Sequence, residues 1–185
     1  MKIYIIEKDK DKFKYLVPYF DDLEDVILIN ADFKTFMDNN FVECVVSPAN
    51  SYGDMSGGYD LAVRNYFGKE LQEKVQEYIK NKYNGEQPVG TSFIIEINDS
   101  QKLIHTPTMK IPSKIQDEKI IYYCMKETLL TAKQNNVKDI LIPMFGGLTG
   151  GVSPENIAIM MRIAYNQVKN PLQNIEDQYI RKIKV

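Results

Sequence analysis

The chain has 185 residues, enough for one domain with a substantial core and too few for two ordinary ones. A 44% hydrophobic share, 26% charged residues and a net charge of −2 describe a globular protein and give no electrostatic ground for duplex DNA binding. The apolar run that follows Lys2 is too short for a signal peptide or a membrane span, and one histidine with two cysteines excludes a multi-histidine zinc centre. Cys44 and Cys124 both fall in apolar-periodic segments and read as buried free thiols, so a cytoplasmic location is expected.

In chain order, residues 2–6 read as a short buried strand, and Phe13, Leu16, Val17 and Phe20 set a helical period over 10–20. Residues 26–30 form an apolar run typical of a strand covered on both faces, and a turn at Ala31–Asp32 opens a short helix near 33–38. Residues 42–46 are another buried strand. The glycine-rich stretch 47–59 leads to helices at about 60–67 and 69–82.

Strands at 89–97 and 102–105 flank a turn at 98–100, and a long amphipathic helix spans 116–135. The buried strand 138–142 ends at Pro143, a glycine loop occupies 146–151, and a helix runs from Pro154 to about Val168, with Ser153 as its cap. The last strand is expected near 178–185, where Lys and Arg blunt an exposed edge. This alternation, without repeat or linker, implies one domain over 1–185 with helices on both faces of a sheet. Ligands bind such sheets beyond the carboxyl ends of the strands, where both glycine loops lie.

Each loop has its own chemistry. Gly57 and Gly58 precede Asp60 near a helix start, where backbone N–H groups and the helix dipole suit phosphate. Asp60 itself reads either as a cap of that helix or as a functional carboxylate. Gly146, Gly147, Gly150 and Gly151, with Thr149, form a strand–loop–helix unit lacking the Lys-Ser/Thr of a P-loop. His105 reads as structural or catalytic, Arg64 as solvated or phosphate-facing, and Phe145, Tyr52 and Tyr59 as stacking candidates.

The first loop resembles the macro-domain signature, Asn-Ala-Ala-Asn followed by Gly-Gly-Gly-Val-Asp-Gly-Ala-Ile. It stands here as Ser47-Pro48-Ala49-Asn50 and Gly57-Gly58-Tyr59-Asp60-Leu61-Ala62-Val63. Pro143 to Gly151 is similar to the family's Pro-Ala-Leu-Gly-Thr-Gly-x-Gly-Gly. Leu103-Ile104-His105-Thr106 is similar to Val-Ile-His-Thr, and Asn30-Ala31-Asp32 to Gly-Asp-Ile, all in family order over roughly 26–168.

The resemblance implies an α/β three-layer sandwich, with a mixed central sheet of about six strands and helices on both faces. It implies a cleft for ADP-ribose or an ADP-ribosylated substrate, with no cofactor, no metal and no membrane partner. Asp32 would meet adenine. Ala49, Gly57, Gly58 and Tyr59 would wrap the distal ribose and a phosphate. Gly146, Gly147, Leu148, Thr149, Gly150 and Gly151 would hold the diphosphate, and Phe145 would contact the ligand by stacking. Asn50 and Asp60 would be catalytic, in hydrolysis of an ADP-ribosyl linkage or of ADP-ribose 1″-phosphate, or in deacetylation of an O-acetyl ester. A non-catalytic reader and an assembly protein that has lost the ligand are the alternatives. Ser47, Pro48, Ser56, Gly147 and Leu148 depart from the pattern, and Leu148 would be strained if its position needs a positive φ.

Overall fold

The computed structural model describes residues 1–171, so the strand expected near 178–185 lies outside the described residues. Six strands form one mixed sheet: β1 (Lys2–Ile6), β2 (Val26–Ile29), β3 (Cys44–Ser47), β4 (Phe93–Asn98), β5 (Gln101–His105) and β6 (Asp139–Pro143). Their order is β2-β1-β6-β3-β5-β4, parallel throughout except for the antiparallel β4–β5 hairpin. The seven helices among the described residues are α1 (Lys10–Phe13), α2 (Val17–Phe20), α3 (Phe33–Asn39), α4 (Gly58–Phe67), α5 (Glu70–Tyr83), α6 (Lys119–Gln134) and α7 (Pro154–Lys169).

The period-2 geometry of strands divides the interior into two cores. Ile3, Ile5, Cys44, Val46, Ile104, Ile140 and Ile142 face α2, α6 and α7, where they meet Phe20, Met125, Leu129 and Met161. Ile6, Val45, Leu103 and Leu141 face the other way, toward Phe36 of α3, Val63 of α4 and Leu71, Val75 and Ile79 of α5. The result is the three-layer arrangement with helices on both faces. Both cysteines are free and buried, and desolvation raises both thiols, which makes them inert packing groups.

Two local expectations are corrected. The helical period over 10–20 is split into α1 and α2, because Pro18 has no N–H to continue a helix and its ring would strike the preceding turn. Pro18 instead occupies the first turn of α2, where a donor is not needed. Residues 26–30 are covered only in part: Val26 and Leu28 pack on one core and Ile29 on the other, but β2 is an end strand of the sheet formed by the described residues and only Val26 in it is buried.

Candidate functional site

The first glycine loop follows β3 and the second follows β6, and these two strands are hydrogen-bonded neighbours near the centre of the sheet. Their loops therefore leave the same sheet edge side by side. Together they wall a cavity of about 200 Å³ lined by Ala49, Asn50, Gly57, Gly58, Tyr59, Asp60, Gly146, Gly147, Leu148, Thr149 and Gly150. A second cavity of about 120 Å³, bounded by Asp32, Phe33 and Lys8, shares Gly58, Tyr59, Gly147 and Leu148 with the first. The two cavities adjoin across these shared residues and together make up the candidate cleft, with Leu148 Cδ1 standing 3.3 Å from the position a Cβ would take on Gly58. Gly58 has φ +56°, so the close approach and the backbone conformation both favour glycine there.

The first loop is built on Asn50. Its Oδ1 accepts from the N–H groups of Tyr52 at 3.1 Å and Asp54 at 3.3 Å, while Nδ2 donates to the Asp54 carbonyl at 3.2 Å. The Asn50 amide thus folds the loop. Met55 is fully buried beneath it, and its N–H donates to Gln72 Oε1 at 3.0 Å. α4 begins at Gly58, two residues before the expected start, and has no side-chain cap. Asp60 is therefore in the first turn and not the cap: its Oδ1 accepts from the Ser47 hydroxyl at 2.7 Å. Desolvation pushes the Asp60 carboxyl up to about 7, with Ser47 opposing the rise.

Asp32 caps α3. The Thr35 N–H donates to its Oδ1 at 2.9 Å and the Thr35 hydroxyl to its Oδ2 at 2.6 Å, bonds that hold the carboxyl below its ordinary range. In the second loop the positive φ angles fall at Gly146 and Gly151, and Leu148 has none. The loop follows a path on which Leu148 is unstrained, so the expected penalty does not arise.

Several sequence candidates stand elsewhere. Phe145 is fully buried in the core under α6 and α7 and does not line the cleft, which corrects its reading as a stacking residue. Gly151 also lies off the lining, as do Tyr52, whose hydroxyl donates to Glu86 at 3.0 Å, and Arg64, whose Nη1 donates to Gln72 at 3.1 Å. His105 is fully buried: its Nδ1 donates to Gln87 Oε1 at 2.6 Å, the Gln87 amide being oriented by its own bond to the Thr91 carbonyl at 3.0 Å. Burial pushes His105 down to about 3, so it is a neutral structural residue.

Other residues escaped the sequence reading. Lys12 of α1 donates to the Gly147 carbonyl at 2.9 Å, placing a cation behind the second loop. Asp54 adds a second carboxylate to the lining. The segment after β5 braces both loops: the Met109 carbonyl accepts from Ser51 N–H at 3.1 Å, and Ile115 N–H donates to the Gly150 carbonyl at 2.9 Å. Met109 and Pro112 from this segment also line the cleft. Among the described residues there is no cluster of metal-ligating side chains, and no helix is long and apolar enough to cross a membrane.

The family model described as "Macro domain" matches residues 46–161, a span that contains both loops. A curated relative from Aquifex aeolicus (strain VF5), described as an "Uncharacterized protein", is 28% identical over 121 residues, covering 64% of this chain and 70% of its own. Among solved structures, the macrodomain of Mycobacterium tuberculosis DarG is similar with a TM-score of 0.61 at 20% identity, over 70% of this chain and 85% of that one. A variant of the Oceanobacillus iheyensis macrodomain with ADPR has a TM-score of 0.62 at 23% identity, over 71% of this chain and 73% of that one. These likenesses show the fold: an α/β sandwich on a mixed six-stranded sheet.

Proposed function

This chain belongs to the macro-domain family, and on that premise we propose that its cleft binds ADP-ribose and that Asp60 serves hydrolysis at the distal ribose. The observation that carries the reading is the juxtaposition of the two loops. Asp60 lines one of two adjoining cavities and Asp32 the other, with Gly58 and Gly147 in the wall they share. An adenine amino group would donate to Asp32, which keeps lone pairs beyond those taken by Thr35. The diphosphate would lie along Gly146–Gly150, with the N-terminus of α4 opposite it. The ligand bound in the Oceanobacillus iheyensis variant supports this choice of occupant.

The distal ribose would then rest beside Asp60. A carboxylate there takes a proton from water, the water oxygen bonds to the anomeric carbon, the bond to the leaving group breaks, and the leaving group gains a proton. The leaving group would be a modified side chain or, in ADP-ribose 1″-phosphate, phosphate; hydrolysis of an O-acetyl ester is the third substrate class. An ionisation at about 7 suits a base working near neutral pH.

Purified protein is expected to bind ADP-ribose in titration calorimetry and to release it from at least one such substrate. Asp60→Ala should lose most of the rate. Binding without turnover on all three substrate classes, at high enzyme concentration, would replace this reading with that of a reader module. One observation favours the reader: the Asn50 amide is occupied by the loop backbone and would have to share its bonds to orient a ribose.

A further inference from the structure

Ser47 is the last residue of β3 and is fully buried, and it does not line the cleft. Strand alternation puts it on the same face as Val45, the face against which α4 packs. A buried position between a sheet and a helix ordinarily takes an apolar side chain, because a hydroxyl out of water is costly unless it is bonded. Here the hydroxyl has one side-chain partner, Asp60 Oδ1 at 2.7 Å. The backbone of Ser47 is held separately, its carbonyl accepting from Thr106 N–H at 2.9 Å. The strand end is therefore fixed by the sheet, and the side chain is left to act on Asp60.

We propose that Ser47 is the positioning residue of this site: from behind the cleft wall its hydroxyl clamps one oxygen of Asp60, fixing the carboxylate against the cavity and favouring its ionised form. This rests on the reading of Asp60 as the working carboxylate, and it assigns a function to one of the positions at which the chain departs from the family pattern. Besides the Asp60 backbone N–H, which also favours the ionised form, the groups around Asp60 leave that task to the Ser47 hydroxyl. Asp54, from the same loop, is negative and opposes ionisation. Tyr59, beside it on α4, is held neutral by burial. Arg64 on α4 is bonded to Gln72 of α5, and Asp32 at the start of α3 is bonded to Thr35. His105, paired with Ser47 across β3 and β5, is neutral and bonded to Gln87.

The test follows the Asp60 carboxyl directly, by carbon-13 NMR titration of protein labelled at aspartate, with the signal assigned by its loss in Asp60→Asn. Ser47→Ala should move this titration up by about one pH unit, equivalent to about 1.4 kcal/mol. Ser47→Thr, which keeps the hydroxyl, should leave it within about 0.3 unit of the parent. If the enzyme reading also holds, the acid limb of kcat/KM moves with the titration. A shift in Ser47→Ala with no turnover in any form of the protein would sink the hydrolase reading and keep the clamp. An unmoved titration in Ser47→Ala, or equal shifts in the Ala and Thr variants, would overturn the clamp whether or not the protein turns over.

Discussion

Gly150→Ala and Gly57→Ala test the proposed phosphate cradle with one methyl group each. At Gly150 an added Cβ would lie 2.6 Å from the Gly146 carbonyl oxygen and 2.7 Å from Ile115 Cδ1. The isoleucine can move, but the carbonyl belongs to the loop backbone and accepts from Val152 N–H at 3.3 Å. Relieving the clash displaces that carbonyl or the Gly150 carbonyl that takes the Ile115 N–H. Overpacking costs about 1–3 kcal/mol and each lost backbone bond about 1 kcal/mol, so a total of about 2–4 kcal/mol is expected. In a chain of this size that lowers Tm by roughly 4–16 °C. If the loop cradles the diphosphate, ADP-ribose affinity should fall at least tenfold, since about 1.4 kcal/mol is one decade.

Gly57 has nothing within 4 Å of its Cβ position and φ −135°, which any residue adopts. Gly57→Ala should stay within about threefold of the parent, as a few tenths of a kcal/mol would allow. Differential scanning fluorimetry and titration calorimetry give both readouts. A Gly150→Ala protein that melts and binds like the parent would refute the cradle as placed.

Removing the amine of Lys12 as Lys12→Met should weaken ADP-ribose binding by about three- to tenfold and flatten its salt dependence, because a charge-assisted bond to the Gly147 carbonyl is lost. Affinity at two ionic strengths checks this, and an unchanged constant would separate α1 from the binding loop. Two of the groups that make stability depend on pH oppose each other. Asp60 ionises at about 7 in the fold against 3.8 as a free carboxyl, so its contribution is full below 3.8 and lost as pH rises through 7. His105 titrates at about 3 against 6.5, so its contribution is full above 6.5 and lost as pH falls toward 3. Between about 4 and 6.5 the slopes cancel. Asp60→Asn leaves His105 uncompensated, and denaturant unfolding from pH 6.5 to 4.5 should lose up to about 1.4 kcal/mol per unit more than the parent. Parallel profiles would contradict this pairing.

The parts of the site that rest on local grammar were legible in the chain. Gly57–Gly58 and Gly146–Gly151 stand out because glycine and helix-start signals punctuate sequence over a few residues. Ser153 likewise announced α7, its side chain accepting from Asn156 N–H. What depended on which elements meet was not legible. Ser47 and Asp60 are 13 positions apart and join only because α4 packs on the face that β3 offers at its end. Lys12 and Gly147 are 135 positions apart. Phe145 was misplaced for a related reason: its glycine neighbours suggested exposure, while the direction of its side chain is decided by β6 and the helices behind it. The split of the first helix was visible in Pro18, which the hydrophobic period outweighed.

The segment after β5 has a consequence for how such a cleft diversifies. It is stitched to one wall at Met109 and Lys110 and to the other at Ile115, and between the stitches run residues 111–114, with Pro112 lining the cleft and Ile111 exposed. A short span tethered at both ends adds little loop-closure entropy when it lengthens by a residue or two. Replacements there reshape the mouth of the cleft, while the glycine backbone and the Ser47–Asp60 pair behind it stay as they are. Selectivity and grip can therefore evolve separately, because different stretches of the chain encode them.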